Sequence, residues 1–501
     1  MWMAISRGLI VGLSFILQIL LSLFVYMYLG NHIPVISVIY SIFSILMVLW
    51  LIRSSKNLSF NLMWIIVFLL FPIVGPLLYI IIHRNLASSK ILKKIKKSIN
   101  ESSKYLQQEK GVKSKIEKDN YNILKYISNH AGFPVSNNND LTYYPLGEKA
   151  YKDMLIELKS AEKFIFMEYF IVNKGEMWDG ILEILEQKAQ EGVDVRVMYD
   201  DMGSIAMLPS NYPKVLEKKG IKCESFNRVM PFLGVIMNNR DHRKILVIDG
   251  KVAFTGGINI SDEYINKTHP HGHWKDNAIR IKGEAVWNFT VMFLSMWNSY
   301  RNEDKNYEKF KYKFKDEYKS EGFVVPYGDS PLDDEITGEN VYLNIISRSK
   351  KYVYIFTPYL IIDTDMINNL ILAAKRGVDV RIVVPGIADK KIVYDLTSSY
   401  FEDLIKGGVK IYKYTPGFVH SKVFVSDDDI ATVGTINMDY RSLYLHFECG
   451  VFIQNEKVVN EVKKDLEESI KVSELVTEEK AKSKFFKSLW QSILRLLAPL
   501  F

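Results

Sequence analysis

Two short stretches of the chain each carry a histidine and a lysine separated by one residue. The first pair is His242 and Lys244 in NNRDHRKILVIDGKVAFTGGIN, and the second is His420 and Lys422 in HSKVFVSDDDIATVGTIN. On a β-strand, residues i and i+2 project to the same side, so each pair is expected to present an imidazole and an ammonium group together. An imidazole titrates near neutral pH, and an ammonium group binds phosphate oxygens. The residue types and their spacing therefore predict chemistry at a phosphorus centre.

The same frame of residues surrounds both pairs. Its members are His242, Lys244, Asp249, Gly256 and Asn259 in the first copy and His420, Lys422, Asp427, Gly434 and Asn437 in the second. Two histidines at one phosphorus predict a double displacement, in which one imidazole attacks and the other protonates the departing oxygen. The lysines would neutralise the phosphate charge, so we expect no metal and no other cofactor.

Small and amide-bearing residues that follow each pair are candidates for holding the phosphate. They are Asn259, Asn437, Gly256, Gly257, Gly434 and Thr435. Amide groups can donate hydrogen bonds to phosphate oxygens, and glycines allow the backbone to approach closely.

The carboxylates near the frame fall into two groups. Asp249 lies an odd number of residues after His242 and begins an Asp-Gly turn, so its position fits a framework role as well as direct catalysis. Asp427 is its counterpart, and both remain candidates for the catalytic set. A nucleophilic histidine usually needs a carboxylate on its second nitrogen. Asp276 and Glu448 are the candidates for this role, and the sequence leaves open which one serves which histidine.

Longer repeated segments predict two similar halves. GVDVR occurs at residues 192–196 and 377–381, and KKGIK at 218–222 is answered by KGGVK at 406–410. In both halves, apolar runs of strand length alternate with amphipathic helical stretches. The predicted fold class is α/β, with the two halves in a pseudo-twofold arrangement that brings the histidine–lysine pairs to one cleft. The Asp-Gly pair in the first frame predicts the two-residue turn of a β-hairpin.

The first 82 residues contain three uncharged apolar runs, Gly8–Leu29, Pro34–Ile52 and Phe60–Ile82. Each has about the 20 residues that a helix needs to cross a hydrocarbon core, which predicts N-terminal transmembrane helices with two or three spans. With three crossings, the basic residues that follow place the rest of the chain on the cytoplasmic face of the cell membrane, whereas a two-span anchor leaves its side open. The net charge of +7 suits an anionic lipid surface, and lipid phosphate is at hand for a tethered chain, so nucleic acid is not the expected partner.

These patterns divide the chain into six segments. They are a transmembrane anchor at 1–84, a charged, solvated helical connector at 85–140, the first half at 141–310, a linker at 311–335, the second half at 336–470 and an amphipathic tail at 471–501. The tail sequence FFKSLWQSILRLLAPLF has a wide apolar helical stripe. Packing of this stripe against the catalytic region and its insertion into a membrane interface both remain open.

The doubled frame resembles the paired HKD motifs of the phospholipase D superfamily. FPIVGPLLYIII, TPYLIIDTDM, GVKIYKYTPGFVHSK and ATVGTINMDYRSLYLHFECG are also similar to segments of bacterial cardiolipin synthases. The resemblance implies transfer of a phosphatidyl group: a histidine attacks phosphatidylglycerol and releases glycerol, and a second phosphatidylglycerol resolves the phosphatidyl-histidine to cardiolipin.

The resemblance also implies a role for each residue of the frame. His242 would be the nucleophile and His420 the general acid/base, with Lys244, Lys422 and the two asparagines on the phosphate. Hydrolysis by water at the same site, as in a phospholipase or nuclease, is the alternative activity. A scaffold with a degenerate site is disfavoured because both histidines and both lysines are intact. The sequence does not fix the oligomeric state.

Overall fold

The computed structural model describes residues 27–28, 34–54, 58–71, 75–76, 79–80, 86–118, 121–229, 238–315 and 318–501. The predicted span Gly8–Leu29 lies outside these residues except at its C-terminal end. Helices α1 (Pro34–Ser54) and α2 (Leu58–Leu70) pack on each other in the N-terminal region. Among the residues described, none of the helices has the length and apolar character together that crossing a bilayer requires.

One continuous sheet of 15 strands forms the centre of the catalytic region. The strands of the first half are β1 (Ser136–Tyr144), β2 (Phe164–Tyr169), β3 (Asp194–Asp200), β4 (Lys222–Phe226), β5 (Lys244–Ile248), β6 (Val252–Gly256), β7 (His273–Lys275) and β8 (Ala278–Gly283). Those that follow are β9 (Lys319–Asp329), β10 (Tyr352–Phe356), β11 (Leu360–Ile361), β12 (Asp379–Pro385), β13 (Lys410–Tyr414), β14 (Gly417–Val419), β15 (Val423–Ser426), β16 (Ile430–Gly434), β17 (Met438–Asp439), β18 (Glu448–Gln454) and β19 (Ser473–Leu475).

The order of strands in the sheet repeats about its centre. It runs β19-β13-β12-β10-β15-β16-β18-β9-β1-β8-β6-β5-β2-β3-β4. From the centre outwards, β1-β8-β6-β5-β2-β3-β4 matches β9-β18-β16-β15-β10-β12-β13 strand for strand. In the first half β2, β3 and β4 pair in parallel, as do β10, β12 and β13 in the second. The hairpin strands nearer the centre, β5 with β6 and β15 with β16, pair antiparallel. The α/β class with two similar halves is therefore confirmed.

Helices cover both faces of this sheet. Those before and within the first half are α3 (Leu86–Ser102), α4 (Lys110–Lys118), α5 (Asn122–Asn129), α6 (Gly147–Lys159), α7 (Glu176–Gln190), α8 (Tyr212–Glu217) and α9 (Val286–Tyr300). The later ones are α10 (Thr337–Arg348), α11 (Thr364–Lys375), α12 (Lys391–Ser399), α13 (Phe401–Lys406), α14 (Tyr440–Tyr444), α15 (Val458–Lys471), α16 (Glu478–Ala481) and α17 (Phe485–Leu496). Short 3₁₀ helices span Ser103–Tyr105, Asp262–Ile265, Glu308–Phe310 and Ala498–Leu500.

The segment expected to be a solvated connector is helical but not fully solvated. Ile91, Ile95 and Ile99 of α3 recur every four residues, so they share one helix face. Ile95 is fully buried, and the other two pack against the same core. The partner of α3 is α9, which is buried along nearly its whole length because it is apolar on every side.

The region expected to be a linker contains a central strand. β9 pairs with β18 from Glu448↔Asp329 to Gln454↔Phe323 and also pairs with β1. The two half-sheets are joined through this strand, so the linker expectation is wrong for residues 319–329. Pro326 and Gly328 lie within β9, and both residue types are depleted in strands, which explains why the sequence did not indicate it.

Candidate active site

Equivalent hairpins position the two histidines. His242 lies just before β5, which returns as β6 through Asp249-Gly250, with Ile248 opposite Val252. Asp249 and Gly250 have φ values of 53° and 67°, the left-handed conformations that a tight hairpin turn requires. The predicted hairpin is confirmed. In the second half, His420 lies before β15, which pairs with β16 in the same way.

Each histidine receives its carboxylate from the other half. The Nδ1 atom of His242 lies 2.9 and 3.0 Å from the two carboxylate oxygens of Glu448. The Nδ1 atom of His420 lies 2.7 Å from Oδ2 of Asp276. The sequence left this pairing open, and the structure shows that it is crosswise.

Backbone hydrogen bonds hold the same crosswise arrangement. The amide of His242 donates to the carbonyl oxygen of Phe447 at 2.9 Å, and the amide of His420 donates to that of Lys275 at 2.8 Å. Each acceptor immediately precedes the carboxylate residue in the chain. The histidine ring and its main chain are therefore fixed to the same short segment of the opposite half.

The hydrogen bonds define which ring nitrogen is free to react. In each pair the imidazole Nδ1 donates to the carboxylate, so the hydrogen of the ring is on Nδ1 and the Nε2 lone pair is available. Burial lowers the pKa of His242 to about 3 and, together with the charge of Lys422, lowers that of His420 to about 4. Both rings are thus neutral at neutral pH before substrate binds, which is the form that a nucleophile needs.

Aromatic side chains enclose both rings. Phe170 lies against His242 with 4.9 Å between ring centroids. Tyr264 and Trp274 lie 5.2 and 5.7 Å from the ring of His420. These rings help to bury both imidazoles, and their low polarity strengthens electrostatic interactions in the site.

The lysines of the two pairs are buried beside the histidines. Lys244 donates to the carbonyl oxygen of His242 at 2.6 Å, and Lys422 donates to that of His420. Burial lowers the pKa of Lys244 to about 8 and that of Lys422 to about 7. An ammonium group has three hydrogens, so each lysine retains donors for an anion, and a bound phosphate would favour the charged form.

Asp249 and Asp427 lie at the far ends of their strands from the histidines. Asp249 accepts hydrogen bonds of 2.7 to 2.9 Å from the amides of residues 162, 163 and 164. Asp427 accepts bonds of 2.7 to 3.0 Å from the amides of residues 350, 351 and 352. Each carboxylate fixes the start of the neighbouring strand, β2 or β10. The expectation that they act directly in catalysis is therefore corrected to the framework role.

The two asparagines differ in how far they are engaged. Asn259 accepts from the amide of Ile171 at 3.1 Å and donates to the hydroxyl of Tyr264 at 2.8 Å. Asn437 is buried, and its Oδ1 has no hydrogen-bond partner among the described residues. Phosphate binding by either amide stays a prediction.

The small residues of the frame lie against the strands that carry the carboxylates. A Cβ on Gly256 would lie 2.3 Å from the carbonyl oxygen of Asn277, and one on Gly434 would lie 2.5 Å from that of Cys449. A Cβ on Gly257 would lie 2.0 Å from Oδ1 of Asp276, and the hydroxyl of Thr435 donates to the carboxylate of Glu448. Their observed contacts thus support the histidine-orienting groups, which the sequence did not indicate.

His446 is a residue of the site that the sequence did not indicate. Its ring lies 5.6 Å from that of His242, and its Nδ1 is 3.6 Å from Oε1 of Glu448. The side chain is buried, and neither ring nitrogen has a hydrogen-bond partner in the part of the chain described. The available signal was its position two residues before Glu448, which places both side chains on one side of an extended segment. His242, His446 and Glu448 also form the group of described residues whose atoms, all within 4.8 Å, could hold a metal ion.

Comparison with known proteins adds family evidence to this geometry. The family described as "Cardiolipin synthase, PLD-like domain" matches residues 154–297 and 342–470, and "Phospholipase_D-nuclease N-terminal" matches residues 38–84. The chain is 33% identical to cardiolipin synthase 2 of Staphylococcus epidermidis, over 87% of this chain and 91% of that one. It is also 33% identical to cardiolipin synthase of Alkalihalophilus pseudofirmus, over 93% of both chains.

A solved structure shares the fold. Phosphatidylserine synthase of Haemophilus influenzae superposes with a TM-score of 0.55, at 15% identity, over 72% of this chain and 93% of that one. At that identity the likeness concerns the fold alone. Together with the family matches across both halves, it confirms the expected phospholipase D-like architecture. The chain belongs to the bacterial cardiolipin synthase family of the phospholipase D superfamily and is a phosphatidyltransferase.

Proposed function

We propose that the protein condenses two molecules of phosphatidylglycerol to cardiolipin and glycerol through a phosphatidyl-histidine intermediate. The observation that carries this proposal is the pair of crosswise contacts, His242 with Glu448 and His420 with Asp276, at one buried site. Two oriented imidazoles beside two buried lysines match the needs of a double displacement at phosphorus. The substrate is a membrane lipid, in keeping with the names of the relatives.

In the first step, Nε2 of His242 attacks phosphorus, and the bond from phosphorus to the oxygen of the headgroup glycerol breaks. Binding of the anionic phosphodiester raises the proton affinity of His420, so its Nε2 takes up a proton from solvent and then gives it to the departing glycerol oxygen. Lys244 and Lys422 stabilise the charge on the phosphoryl oxygens. The product is a phosphatidyl group bonded to Nε2 of His242.

In the second step, a hydroxyl of another phosphatidylglycerol takes the place of glycerol. Neutral His420 removes its proton as the oxygen attacks phosphorus, and the bond from phosphorus to His242 breaks. Cardiolipin leaves, the electron pair of the broken bond returns to Nε2 of His242, and His420 releases the proton to solvent, so both histidines return to their neutral starting forms. The negative charge of Glu448 stabilises the imidazolium character of the His242 ring while Nε2 is bonded to phosphorus, and the ring becomes neutral again when that bond breaks and its electron pair returns to Nε2.

For its location, we propose a multi-pass anchor in the cell membrane with the catalytic region on the cytoplasmic face. The support comes from the apolar runs of residues 1–82 and from the lysines that follow them. The basic α3, rich in lysine, would then lie close to anionic headgroups.

The decisive experiment separates transfer from hydrolysis. Purified full-length protein is given phosphatidylglycerol labelled in its acyl chains, and the lipids and released glycerol are measured. We expect cardiolipin and glycerol in equal amounts from wild type and from His130→Ala, which changes an exposed histidine. Phosphatidic acid as the sole labelled product would replace the synthase proposal with a phospholipase.

A further inference from the structure

Helix α17 and its flanks carry an unusual distribution of charge. From Lys480 to the C-terminus the chain has five basic residues and no acidic one. Its basic members are Lys480, Lys482, Lys484, Lys487 and Arg495. Lys480, Lys482 and Arg495 form ion pairs with Glu474, Glu478 and Asp403, whereas Lys484 and Lys487, around the start of the helix, have no ion pair among the described residues.

The polar side of α17 is the side that binds the protein. Gln491 is buried and donates to the carbonyl oxygen of Asp395 at 3.2 Å and to the hydroxyl of Ser398 at 3.1 Å. Arg495 pairs with Asp403 at 2.9 Å and lies over the ring of Tyr400. These contacts fasten α17 to α12 and α13 through side chains that would usually face water.

The apolar side of α17 faces away from the protein. Phe485 and Phe486 are 76% and 83% exposed, and Leu489, Trp490 and Ile493 are also exposed. At 100° per residue these five side chains lie within one stripe, opposite Leu494 and Gln491. An orientation with polar contacts inward leaves the most apolar surface of the helix without cover from the described residues.

A series of contacts connects α17 to the segment that carries His420. α12, to which α17 is bound, carries exposed Ile392, and exposed Ile387 lies just before it. The amides of Gly386 and Ile387 donate to the carbonyl oxygen of Gly417 at 3.1 Å. Gly417 begins β14, the strand that ends directly before His420. α17 also lies beside α2, in the N-terminal region that is rich in apolar residues.

We propose that α17 is an interfacial helix whose apolar stripe enters the headgroup region of a bilayer containing anionic lipid. Phe485, Phe486, Leu489, Trp490 and Ile493 would enter the boundary with the acyl chains, and the lysines around them would contact lipid phosphates. Aromatic and aliphatic side chains beside Lys484 and Lys487, for which the described residues supply no acidic partner, suit a bilayer with anionic lipid better than a water-soluble protein. Through α12 and Gly417 the helix holds the His420 side of the site at the membrane surface. The proposal rests on the proposed function only in assuming that the lipid substrate is in this bilayer.

A depth measurement on the full-length protein tests this surface. Cys223 and Cys449 are buried, so a cysteine introduced at Phe486 takes a fluorophore selectively. The matched control is Ile156→Cys on α6, where the native side chain is apolar and 65% exposed. Both labelled proteins are reconstituted into vesicles of phosphatidylcholine and phosphatidylglycerol, with either brominated acyl chains or iodide in the water as the quencher.

We expect brominated lipid to quench the label at 486 at least about twofold more than the label at 156, with the reverse for iodide. Equal access of iodide to both positions would overturn the proposal. Protection of position 486 from both quenchers would also overturn it, because a second copy or another part of the chain would then cover the stripe.

An activity measurement keeps this inference separate from the proposed function. The triple variant Phe485→Ser, Phe486→Ser and Leu489→Ser should lose about tenfold in turnover on vesicles and keep wild-type turnover in detergent micelles. Equal loss in both would assign the stripe to folding and contradict the proposal. If wild type makes no cardiolipin in either setting while lipid quenches position 486, the proposed function fails and the docking surface stands.

Discussion

The two halves orient their histidines with different carboxylates. Glu448, with its longer side chain, reaches His242 and also accepts a hydrogen bond from Thr435. Asp276, one methylene shorter, reaches His420 from a position where Gly257, the counterpart of Thr435, leaves room for its carboxylate. Both halves therefore place a carboxylate on Nδ1 of the histidine, but they use different side chains to do so.

The neighbours of the carboxylates differ in the same paired manner. The residue two positions before Glu448 is His446, and the residue two before Asp276 is Trp274. Their rings lie 5.6 and 5.7 Å from His242 and His420, respectively. His242 therefore has a polar ring as its neighbour, and His420 has an apolar one.

The largest expected effect separates the two histidines themselves. His242→Ala and His420→Ala should each lower the rate of cardiolipin formation by roughly 10⁴-fold or more, as for other essential nucleophile–base pairs. The two variants should differ in the intermediate: reactions with labelled lipid that are stopped by detergent denaturation at neutral pH should give no protein-bound label in His242→Ala. A labelled adduct that persists in this variant would reverse the assigned roles.

Changing the carboxylates tests the crosswise pairing. Glu448→Gln and Asp276→Asn keep the shape of the side chain but remove the charge that fixes Nδ1–H, so each should cost about 10²- to 10³-fold in kcat. The KM for lipid should change little, because neither group touches the substrate. Full activity in either variant would show that the corresponding histidine does not depend on its partner from the other half.

Acid stability compares the two buried imidazoles. The pKa of His242 is about 3 and that of His420 about 4, whereas an unfolded histidine has a pKa of about 6.5. Between these values the unfolded chain binds more protons, so the free energy of unfolding falls as the pH is lowered from about 6.5 to about 4.

The loss should be on the order of 3 kcal/mol for each histidine over this range. Denaturant unfolding of the wild type, His242→Gln and His420→Gln at several pH values measures it. Each variant should show a shallower acid dependence than wild type, and His130→Ala should match wild type. Slopes that coincide for all four proteins would refute the inference that the buried rings are neutral.

The smallest effect concerns the residues behind the carboxylates. Thr435→Ala removes one hydrogen bond to Glu448 and should lower kcat by about tenfold, equivalent to roughly 1.4 kcal/mol. Gly257→Ala places a methyl group against Asp276 and should show a similar or larger loss through His420. If Thr435→Ala has wild-type kcat, the bifurcated hydrogen bond from Nδ1 of His242 suffices to hold Glu448.

The local parts of the site could be predicted from sequence because they depend on neighbouring residues. The Asp249-Gly250 turn and the i, i+2 spacing of His242 and Lys244 are of this kind. Pairing of each histidine with its carboxylate joins residues 206 and 144 positions apart. It is set by how the half-sheets meet, which no local pattern encodes.

Other differences have equally local causes. The sequence did not predict β9 because Pro326 and Gly328 are residue types that are depleted in strands. It did not predict the buried face of α3 because lysines flank Ile95 along the chain. The role of Gly257 could not be recognised, because a glycine required for close approach to a side chain looks in sequence like one required for a substrate. Only the position of the Asp276 carboxylate distinguishes the two.

The crosswise carboxylates have a consequence for how a duplicated gene evolves. After an ordinary duplication, one copy can decay while the other retains the activity. Here Asp276 of the first copy contacts the histidine of the second, and Glu448 of the second contacts that of the first, so a change at either carboxylate removes a contact of the other copy's histidine. A mutation in one copy therefore affects the site of the other, so neither copy can be lost while the other keeps its complete set of contacts.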